Sequence, residues 1–364
     1  IRGRDNPHSP IPNCKIILTN TKKIFFFSCQ KKINIIKKHR NYKKIIFCTY
    51  PDLPKIINKL KGNNFSIDSS TCSVSNENIV RKLFNIKNSI DPCYDLKSIK
   101  NKLEIKGMIA AHIEDGLALT KFIYWMKNIN KKKITEVDAQ NKLEKFRKLN
   151  KNYLLASFNT IAGTGSNGAI IHYRATKKTT KIIKKNDIFL CDSGGQYKYG
   201  TTDVTRTICF SSQNKTIKDI FTKVLKGHIA VAQTDLNINK TGRQIDVEAR
   251  KFLKKDGLDY PHGTGHGVGF FLNVHEGPQS ISKYNSVQIR KGMILSNEPG
   301  FYKKGHFGIR IENLMYVNKI KDKLLFENLT LAPIEKQLIN YNLLNANEKD
   351  YLFKYHLKIY TTYS

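Results

Sequence analysis

The chain has 364 residues, 40% of them hydrophobic, and a formal net charge of +34. This hydrophobic content is enough for a sizeable core and argues against a disordered chain, and the length predicts two domains. No apolar run approaches the roughly 18 residues that span a bilayer and no signal peptide is recognisable, so we expect no membrane partner.

The first 88 residues predict a small mixed unit. Strand-like runs occupy Lys15–Leu18, Ile24–Phe27 and Lys44–Tyr50, and Pro54–Leu60 is typical of a helix. Asp91-Pro92 is a turn signal, and the pattern changes around it. We therefore predict a first domain over residues 1–88 and a second over residues 89–364.

The second domain begins with predicted helices. Apolar residues at three- and four-residue steps predict one long helix from Leu96 to Lys127, and a capping box at Thr135 starts another. Further predicted helices are Thr216–Thr234 and Arg243–Lys254, and predicted strands are Asp187–Asp192, Thr205–Phe210, Met293–Asn297 and Gly308–Val317. Helices and hairpin-like strands in this order favour an α+β fold.

Charge and cysteine content restrict the partners. The basic residues are spread along the chain, without a recognition-helix, aromatic RNA-binding strand or zinc-finger pattern, so compositional bias explains the charge better than nucleic-acid binding does. The seven cysteines are scattered and form no C-x-x-C motif, which disfavours a disulfide framework and a thiolate zinc site. We expect a cytoplasmic protein with no nucleic-acid partner.

Acidic residues and a histidine stand at positions that secondary structure alone does not require. Asp192 ends an apolar strand, Asp203 lies in a β-rich run, His266 lies in a glycine-rich turn, Glu298 precedes Pro-Gly, and Glu312 follows fourteen residues later. Each alone is more often a turn or loop residue. A buried carboxylate is costly unless it is paired or binds a metal, so the joint pattern predicts a metal site.

The charges of these residues suggest two cations. Four carboxylates in one cavity are balanced by two divalent ions, and oxygen ligands with one imidazole favour Mn, Co, Fe or Zn. Paired ions polarise a carbonyl and lower the pKa of water, which suits amide hydrolysis. Arg310 lies two residues before Glu312 on the same face of a predicted strand, where it would hold a ligand carboxylate and offset negative charge.

Three segments carry a family resemblance: residues 261–269 (PHGTGHGVG), residues 273–278 (NVHEGP) and residues 309–313 (IRIEN). They resemble the metallopeptidase family with the pita-bread fold, which includes methionine aminopeptidase, prolidase and creatinase, and most of all its eukaryotic-type cytosolic Xaa-Pro aminopeptidases. The resemblance implies a pita-bread catalytic domain over residues 89–364. Residues 1–5 (IRGRD) and the proline-rich segment after them resemble the start of the creatinase-like middle domain of the three-domain form. This implies a partial creatinase-like domain over residues 1–88, with an earlier domain missing.

The resemblance also implies the ligand roles. Asp192 would chelate one ion, Asp203 and Glu312 would bridge both, and His266 and Glu298 would bind the other. Manganese is the ion that the family implies, and cobalt or zinc would fit the same ligands.

Further roles follow from the same resemblance. Glu298 would also act as general base or proton shuttle, and His275 would stabilise the developing oxyanion or contact the scissile carbonyl. His172 and His262 would line a pocket for a proline ring, with His172 and His275 serving both catalysis and substrate binding. The expected activity is that of a metalloaminopeptidase, in a homodimer, on peptides with proline at the second position.

Two alternatives stay open. One is prolidase, or another pita-bread metallopeptidase, and the other is a non-catalytic pita-bread protein that binds peptides or nucleic acid. The string Gly163-x-Gly165-x-x-Gly168 fits a dinucleotide fingerprint, but the strand-like residues Ala169–Tyr173 follow it instead of a helix. We therefore expect no nucleotide site there.

Overall fold

The structure, a computed structural model, describes residues 2–39, 42, 44–129 and 133–364. The chain forms two units that divide after Tyr94. The predicted boundary at residue 88 stays a prediction, and Ile1, Arg40, Asn41 and Lys43 of the predicted first domain lie outside the described residues.

The first unit combines short strands with short helices. Its strands are β1 Lys15–Leu18, β2 Ile24–Phe27, β3 Ile45–Cys48, β4 Asn64–Ile67 and β5 Asn85–Asn88. Its helices are α1 Gln30–His39, α2 Leu53–Lys59 and α3 Val74–Arg81. β2 pairs antiparallel with β1 and parallel with β3, while β4 and β5 form a parallel pair. Apolar side chains such as Phe27 and Ile57 form its core.

Helices from Pro92 onward start at well-formed caps. They are α4 Pro92–Ser98, α5 Lys102–Asn128, α6 Glu136–Lys148, α7 Lys215–Ala232, α8 Gly242–Lys254 and α9 Ala346–Tyr363. Thr135 caps α6 through the predicted capping box with Asp138. No helix in the described part of the chain is both long and apolar enough to cross a membrane.

The strands of the second unit pair antiparallel in small sheets. They are β6 Tyr153–Ala156, β7 Ile161–Thr164, β8 Ile188–Ser193, β9 Gly195–Tyr197, β10 Gly200–Thr201, β11 Val204–Cys209, β12 Gly265–His266, β13 Ser280–Ile281, β14 Ile294–Asn297, β15 Gly300–Lys303, β16 Phe307–Arg310, β17 Asn313–Ile320 and β18 Lys323–Asn328. The larger sheets have the orders β11-β8-β7, β14-β17-β18 and β10-β9-β6. Antiparallel pairing beside separate helices is the arrangement of an α+β unit.

Two predicted elements are interrupted. The long helix predicted from Leu96 ends at Ser98 and restarts at Lys102, because Asn101 caps α5 by accepting from the backbone N–H groups of Leu103 and Glu104. The strand predicted over Gly308–Val317 breaks at residues 311–312, between β16 and β17. A third prediction, a strand over Ala169–Tyr173, is wrong, because a 3-10 helix over residues 165–169 runs into a turn there.

A buried ion pair joins the first two long helices to the sheet. Arg147 on α6 donates to both carboxylate oxygens of Asp115 on α5, at 2.7 and 3.1 Å, and to Ser193 Oγ on β8 at 3.1 Å. Tyr197 OH donates to the same carboxylate at 2.8 Å. The two charged side chains are 1% and 3% exposed, so each depends on the other for compensation of its charge.

Candidate metal centre

Strand pairing brings Asp192 and Glu312 to one place. Asp192 on β8 lies directly opposite Thr205 on β11. Glu312 lies in the break between β16 and β17, so its N–H leaves the ladder and donates to Thr205 O at 3.1 Å. Thr205 Oγ1 donates to Glu312 Oε2 at 2.8 Å. Thr205 therefore holds the Glu312 carboxylate beside the end of β8.

Asp203 completes a group of three buried acids. It immediately precedes β11, and an oxygen from each of Asp192, Asp203 and Glu312 lies within 4.8 Å of the others. These residues are 8%, 3% and 2% exposed. Three carboxylates so close repel one another unless cations compensate their charge.

A close approach of two strands places His266 and Glu298. A Cβ atom on Gly265 would lie 2.0 Å from Ser296 O, so only glycine lets β12 pack this closely against β14. Ser296 Oγ accepts from His266 N at 2.9 Å and donates to Glu298 Oε1 at 3.2 Å. One serine thus orients both residues.

His266 presents a free ring nitrogen to the acids. Its Nδ1 lies 3.0 Å from Gly267 O, and since a carbonyl only accepts, Nδ1 carries the proton. Nε2 lies 3.4 Å from Asp203 Oδ2 and 3.5 Å from Glu298 Oε1. His266, Glu298 and Glu312 form a second group of donors, so all five predicted ligands meet in one cluster.

The acids of this cluster are held in conditions that disfavour their charge. Burial raises the pKa of Asp203, and the neighbouring Asp192 and Glu298 raise it further. Burial likewise raises the pKa of Glu312, together with repulsion from the other three carboxylates. Burial also raises the pKa of Glu298, although His266 and Arg310 oppose the shift. The ionised form of these acids therefore needs nearby positive charge to be stable.

The donor atoms fit divalent cations. Asp192 Oδ1 and Asp203 Oδ1 are buried oxygens without a hydrogen-bond partner among the described residues. A metal-binding histidine usually donates its other N–H to a carbonyl, as His266 does to Gly267. Carboxylate oxygens with one imidazole suit manganese, cobalt, iron or zinc.

Arg310 makes the type of contact that the sequence predicted. Its Nη2 donates to Asp192 Oδ2 at 2.6 Å, and its Nε donates to Thr205 Oγ1 at 3.1 Å. The side chain is 2% exposed. Its guanidinium thus fixes one oxygen of Asp192 and leaves the other unpaired.

Hydrogen bonds determine the protonation of His262. Arg310 Nη1 donates to Tyr302 OH at 2.6 Å, and the hydroxyl lies 2.8 Å from His262 Nε2. His262 Nδ1 lies 2.8 Å from Gly263 O and must donate to it. Burial lowers the pKa of His262 to about 4, with Arg310 contributing. The ring is therefore neutral, and its Nε2 accepts the Tyr302 proton.

Of the two remaining predicted histidines, His275 lies beside this cluster. The His275 ring centroid is 4.0 Å from that of His266, and this neighbouring imidazole, together with burial, lowers the pKa of His275 to about 3. His172 is exposed in the turn after the 3-10 helix. It contributes to the lowered pKa values of both His262 and His275. His275 also forms a third group of donor atoms with Asp203 and His266.

Sequence reasoning missed three polar residues of the site. Thr205 could have been suspected from the sequence, since it follows Asp203 by two residues. In the structure it contacts Glu312. Tyr302 and Ser296 have no comparable signal in the sequence, because their roles depend on the pairing of β15 with β16 and of β12 with β13 and β14.

The segment that carries His172 is tied to a buried acid. Glu136, at the start of α6, is fully buried. Its carboxylate accepts from the backbone N–H groups of Thr164 and Lys181 at 2.8 and 2.9 Å and from Tyr173 OH at 2.8 Å. One carboxylate therefore closes residues 164–181 into a loop.

We expect Glu136→Gln to loosen this loop. Thr164 N–H and Lys181 N–H donate to different oxygens of Glu136, so the NH2 group of a glutamine would face one of these backbone donors in either orientation. The buried charge-assisted bonds would also be lost, at a cost of about 2 kcal/mol or more. Hydrogen exchange at Thr164 and Lys181 should accelerate. The control is Glu248→Gln on α8, because Glu248 is a partly exposed acid that pairs with Lys251 on the same helix. Unchanged exchange in Glu136→Gln would contradict this role.

Comparison with protein families identifies the class. The profile of metallopeptidase family M24 matches residues 106–319, that of the C-terminal region of this peptidase family matches residues 322–364, and that of the creatinase/prolidase N-terminal domain matches residues 1–104. The first match covers more than half of the chain. The chain belongs to metallopeptidase family M24.

Curated relatives and solved structures agree with this family. An uncharacterised peptidase of Schizosaccharomyces pombe is 39% identical over the whole chain, which spans 62% of that protein. A probable Xaa-Pro aminopeptidase P of Laccaria bicolor is 48% identical over 73% of the chain and 43% of its own length. The chain thus spans about three fifths or less of these relatives.

Among solved structures, X-prolyl aminopeptidase of Caenorhabditis elegans superposes with a TM-score of 0.89. It is 31% identical, and the match covers 99% of this chain and 61% of that one. It is described as a cytosolic enzyme with a di-nuclear active site. Prolidase of Pyrococcus furiosus has a TM-score of 0.72 at 26% identity, over 89% and 92% of the two chains. The predicted α+β pita-bread fold with a creatinase-like N-terminal domain is confirmed.

Proposed function

We propose that the chain catalyses the reaction of an Xaa-Pro aminopeptidase, hydrolysis of the N-terminal peptide bond that precedes proline. The observation that carries the proposal is the convergence of Asp192, Asp203, His266, Glu298 and Glu312 in overlapping donor groups. The relatives named Xaa-Pro aminopeptidase support the choice of substrate.

Two divalent cations are part of this proposal. Asp192 would hold one, His266 and Glu298 the other, and Asp203 and Glu312 both, with manganese as the expected ion and cobalt or zinc as alternatives. Asp203 and Glu312 each belong to the donor group that contains Asp192 and to a donor group that contains His266, which supports this division. When bound, the cations polarise the scissile carbonyl and lower the pKa of a water molecule.

The protein groups would orient the substrate and move protons. Glu298, which accepts from Ser296 Oγ, would accept a proton and later pass it to the leaving nitrogen. His275 would donate to the carbonyl oxygen, whose negative charge grows during the reaction. His172 and His262 would form the walls against the proline ring. Arg310 keeps Asp192 in place throughout.

We expect metal-dependent release of arginine from Arg-Pro-Pro. Protein freed of metal with a chelator should be inactive, and added Mn²⁺ should restore turnover. We expect two bound ions per chain, because two divalent cations balance the charge of the four acids. Met-Ala-Ser and Ala-Pro are the comparison substrates. Cleavage of Met-Ala-Ser but not Arg-Pro-Pro would refute the proline assignment, and cleavage of Ala-Pro alone would favour the prolidase alternative.

Cytosolic location and homodimerisation belong to the same proposal. The first is supported by the description of the C. elegans relative as a cytosolic enzyme. Dimerisation stays a prediction from the family resemblance, and sedimentation of the purified protein would test it.

A further inference from the structure

Arg206 is a buried cation whose hydrogen-bond partners among the described residues are all uncharged. It follows Thr205 on β11 and is 1% exposed. Nη1 donates to Glu312 O at 2.6 Å and Thr205 O at 2.8 Å, and Nη2 donates to Asn313 Oδ1 at 2.8 Å. Burial of an unpaired charge is costly, so such a residue is retained only where its contacts or its charge are needed.

The contact with Glu312 replaces a missing strand bond. Glu312 lies between β16 and β17, where neither backbone group has a ladder partner. Its N–H donates to Thr205 O at 3.1 Å, and its C=O accepts from Arg206. Both backbone groups of this acid are therefore held by two consecutive residues of β11. The position of the Glu312 carboxylate depends on those bonds as well as on Thr205 Oγ1.

The other side of the Arg206 guanidinium reaches the C-terminal segment. Nε donates to Pro333 O at 3.1 Å, and Nη2 donates to Ala332 O at 2.8 Å and to Tyr355 OH at 2.9 Å. Tyr355 lies on α9 and is 5% exposed. The C-terminal helix thus touches, through one hydroxyl, the side chain that holds the Glu312 backbone.

We propose that Arg206 is a positioning residue for the metal centre and that Tyr355 provides the contribution of α9 to that role. The inference rests on the proposed two-cation function. Metal ligands must be placed to within about 0.2 Å, and loss of groups that orient ligands commonly weakens metal binding by about 10–100-fold. Without Arg206, the backbone carbonyl of Glu312 would be buried without a donor, and the acid could shift.

The test measures Mn²⁺ binding directly, from the electron paramagnetic resonance signal of the free ion. We expect Arg206→Met to weaken binding of at least one ion by about tenfold or more, with Arg206→Lys intermediate and Tyr355→Phe weakened by about threefold. Excess Mn²⁺ should restore turnover of Arg-Pro-Pro, with KM changed less than about twofold, because the hydrogen bonds of Arg206 to described residues reach none of the histidines proposed to bind the substrate.

Two control variants distinguish positioning from general loosening of α9. Tyr351→Phe removes a hydroxyl on the same helix, one that accepts from Asn328 at 2.8 Å. Lys226→Met removes an ion pair with Glu348, also on α9. Both should keep the wild-type Mn²⁺ affinity. Equal losses in these controls, or wild-type affinity in Tyr355→Phe and in a folded Arg206→Met, would overturn the proposal.

The outcomes for Arg206 and for the enzyme itself can be told apart. If the wild-type protein binds no Mn²⁺, the proposed function fails, and the role of Arg206 fails with it. If the wild type binds two ions and the variants match it, only the role of Arg206 fails. If both Arg206 variants fail to fold, the proposal is decided by comparing the Mn²⁺ affinity of Tyr355→Phe with that of Tyr351→Phe.

Discussion

Replacing Glu312 by Gln is expected to lower the turnover of Arg-Pro-Pro by about 10³-fold, which corresponds to ~4 kcal/mol in the barrier. The amide removes one negative charge from a cluster that would hold two cations. It also turns an N–H donor towards the cations, or towards Thr205 Oγ1, which already donates to this carboxylate. The readout is arginine release at saturating Mn²⁺, with the number of bound ions measured in parallel.

Asp203→Asn should have the same effect, because both acids belong to two donor groups. Asp322→Asn is the matched control, since Asp322 is an exposed acid whose ion pair is with Lys319 at 3.6 Å. It should leave turnover unchanged. Full activity in Glu312→Gln or Asp203→Asn would exclude the two-cation mechanism.

Replacing Arg147 by Met is expected to destabilise the second unit by about 3–5 kcal/mol, because Asp115 would then be a buried charge without a counter-ion. Ser193 Oγ would also lose the donor that Arg147 provides, and Tyr197 OH would be left with an uncompensated Asp115 as its acceptor. Trp125, the only tryptophan of the sequence, lies on α5 with Asp115 and reports unfolding in urea.

A double variant separates the lost charge pair from lost packing. Asp115→Leu with Arg147→Met should recover part of the stability, since no uncompensated charge remains. Lys354→Met, which breaks an exposed pair with Asp350 on α9, should change stability by about 0.5 kcal/mol or less. A similar small change in Arg147→Met would contradict the importance of the buried pair.

The acids and His266 could be predicted because their chemistry is local in the sequence. An acid at the end of an apolar strand, or before Pro-Gly, differs from the residues around it. It can be recognised without knowing how the strands pair. The role of Arg310 could be predicted for the same reason, because Arg310 lies two residues from Glu312. The single strand predicted to carry both residues is in fact interrupted between them.

Residues whose roles depend on tertiary contacts could not be predicted. Arg206 meets Glu312 and Tyr355 across more than one hundred positions of sequence, and alternation along β11 says only that it faces away from Thr205. The C-terminal helix went unnoticed although Asn345 and Glu348 form its capping box. The interruption before α5 shows how one cap outweighs an otherwise continuous helical pattern.

The hydrogen bonds of His262 have a consequence for selectivity. Both ring nitrogens are already engaged, Nδ1 with Gly263 O and Nε2 with the Tyr302 hydroxyl, so the His262 ring itself has no acceptor left for the substrate pocket proposed above. The peptide nitrogen of proline carries no hydrogen and therefore needs no hydrogen-bond acceptor. An ordinary residue at the same place would bring an N–H that His262 cannot satisfy, and an unsatisfied donor costs about 1–3 kcal/mol. If the proposed function holds, proline would be selected partly because its nitrogen carries no hydrogen.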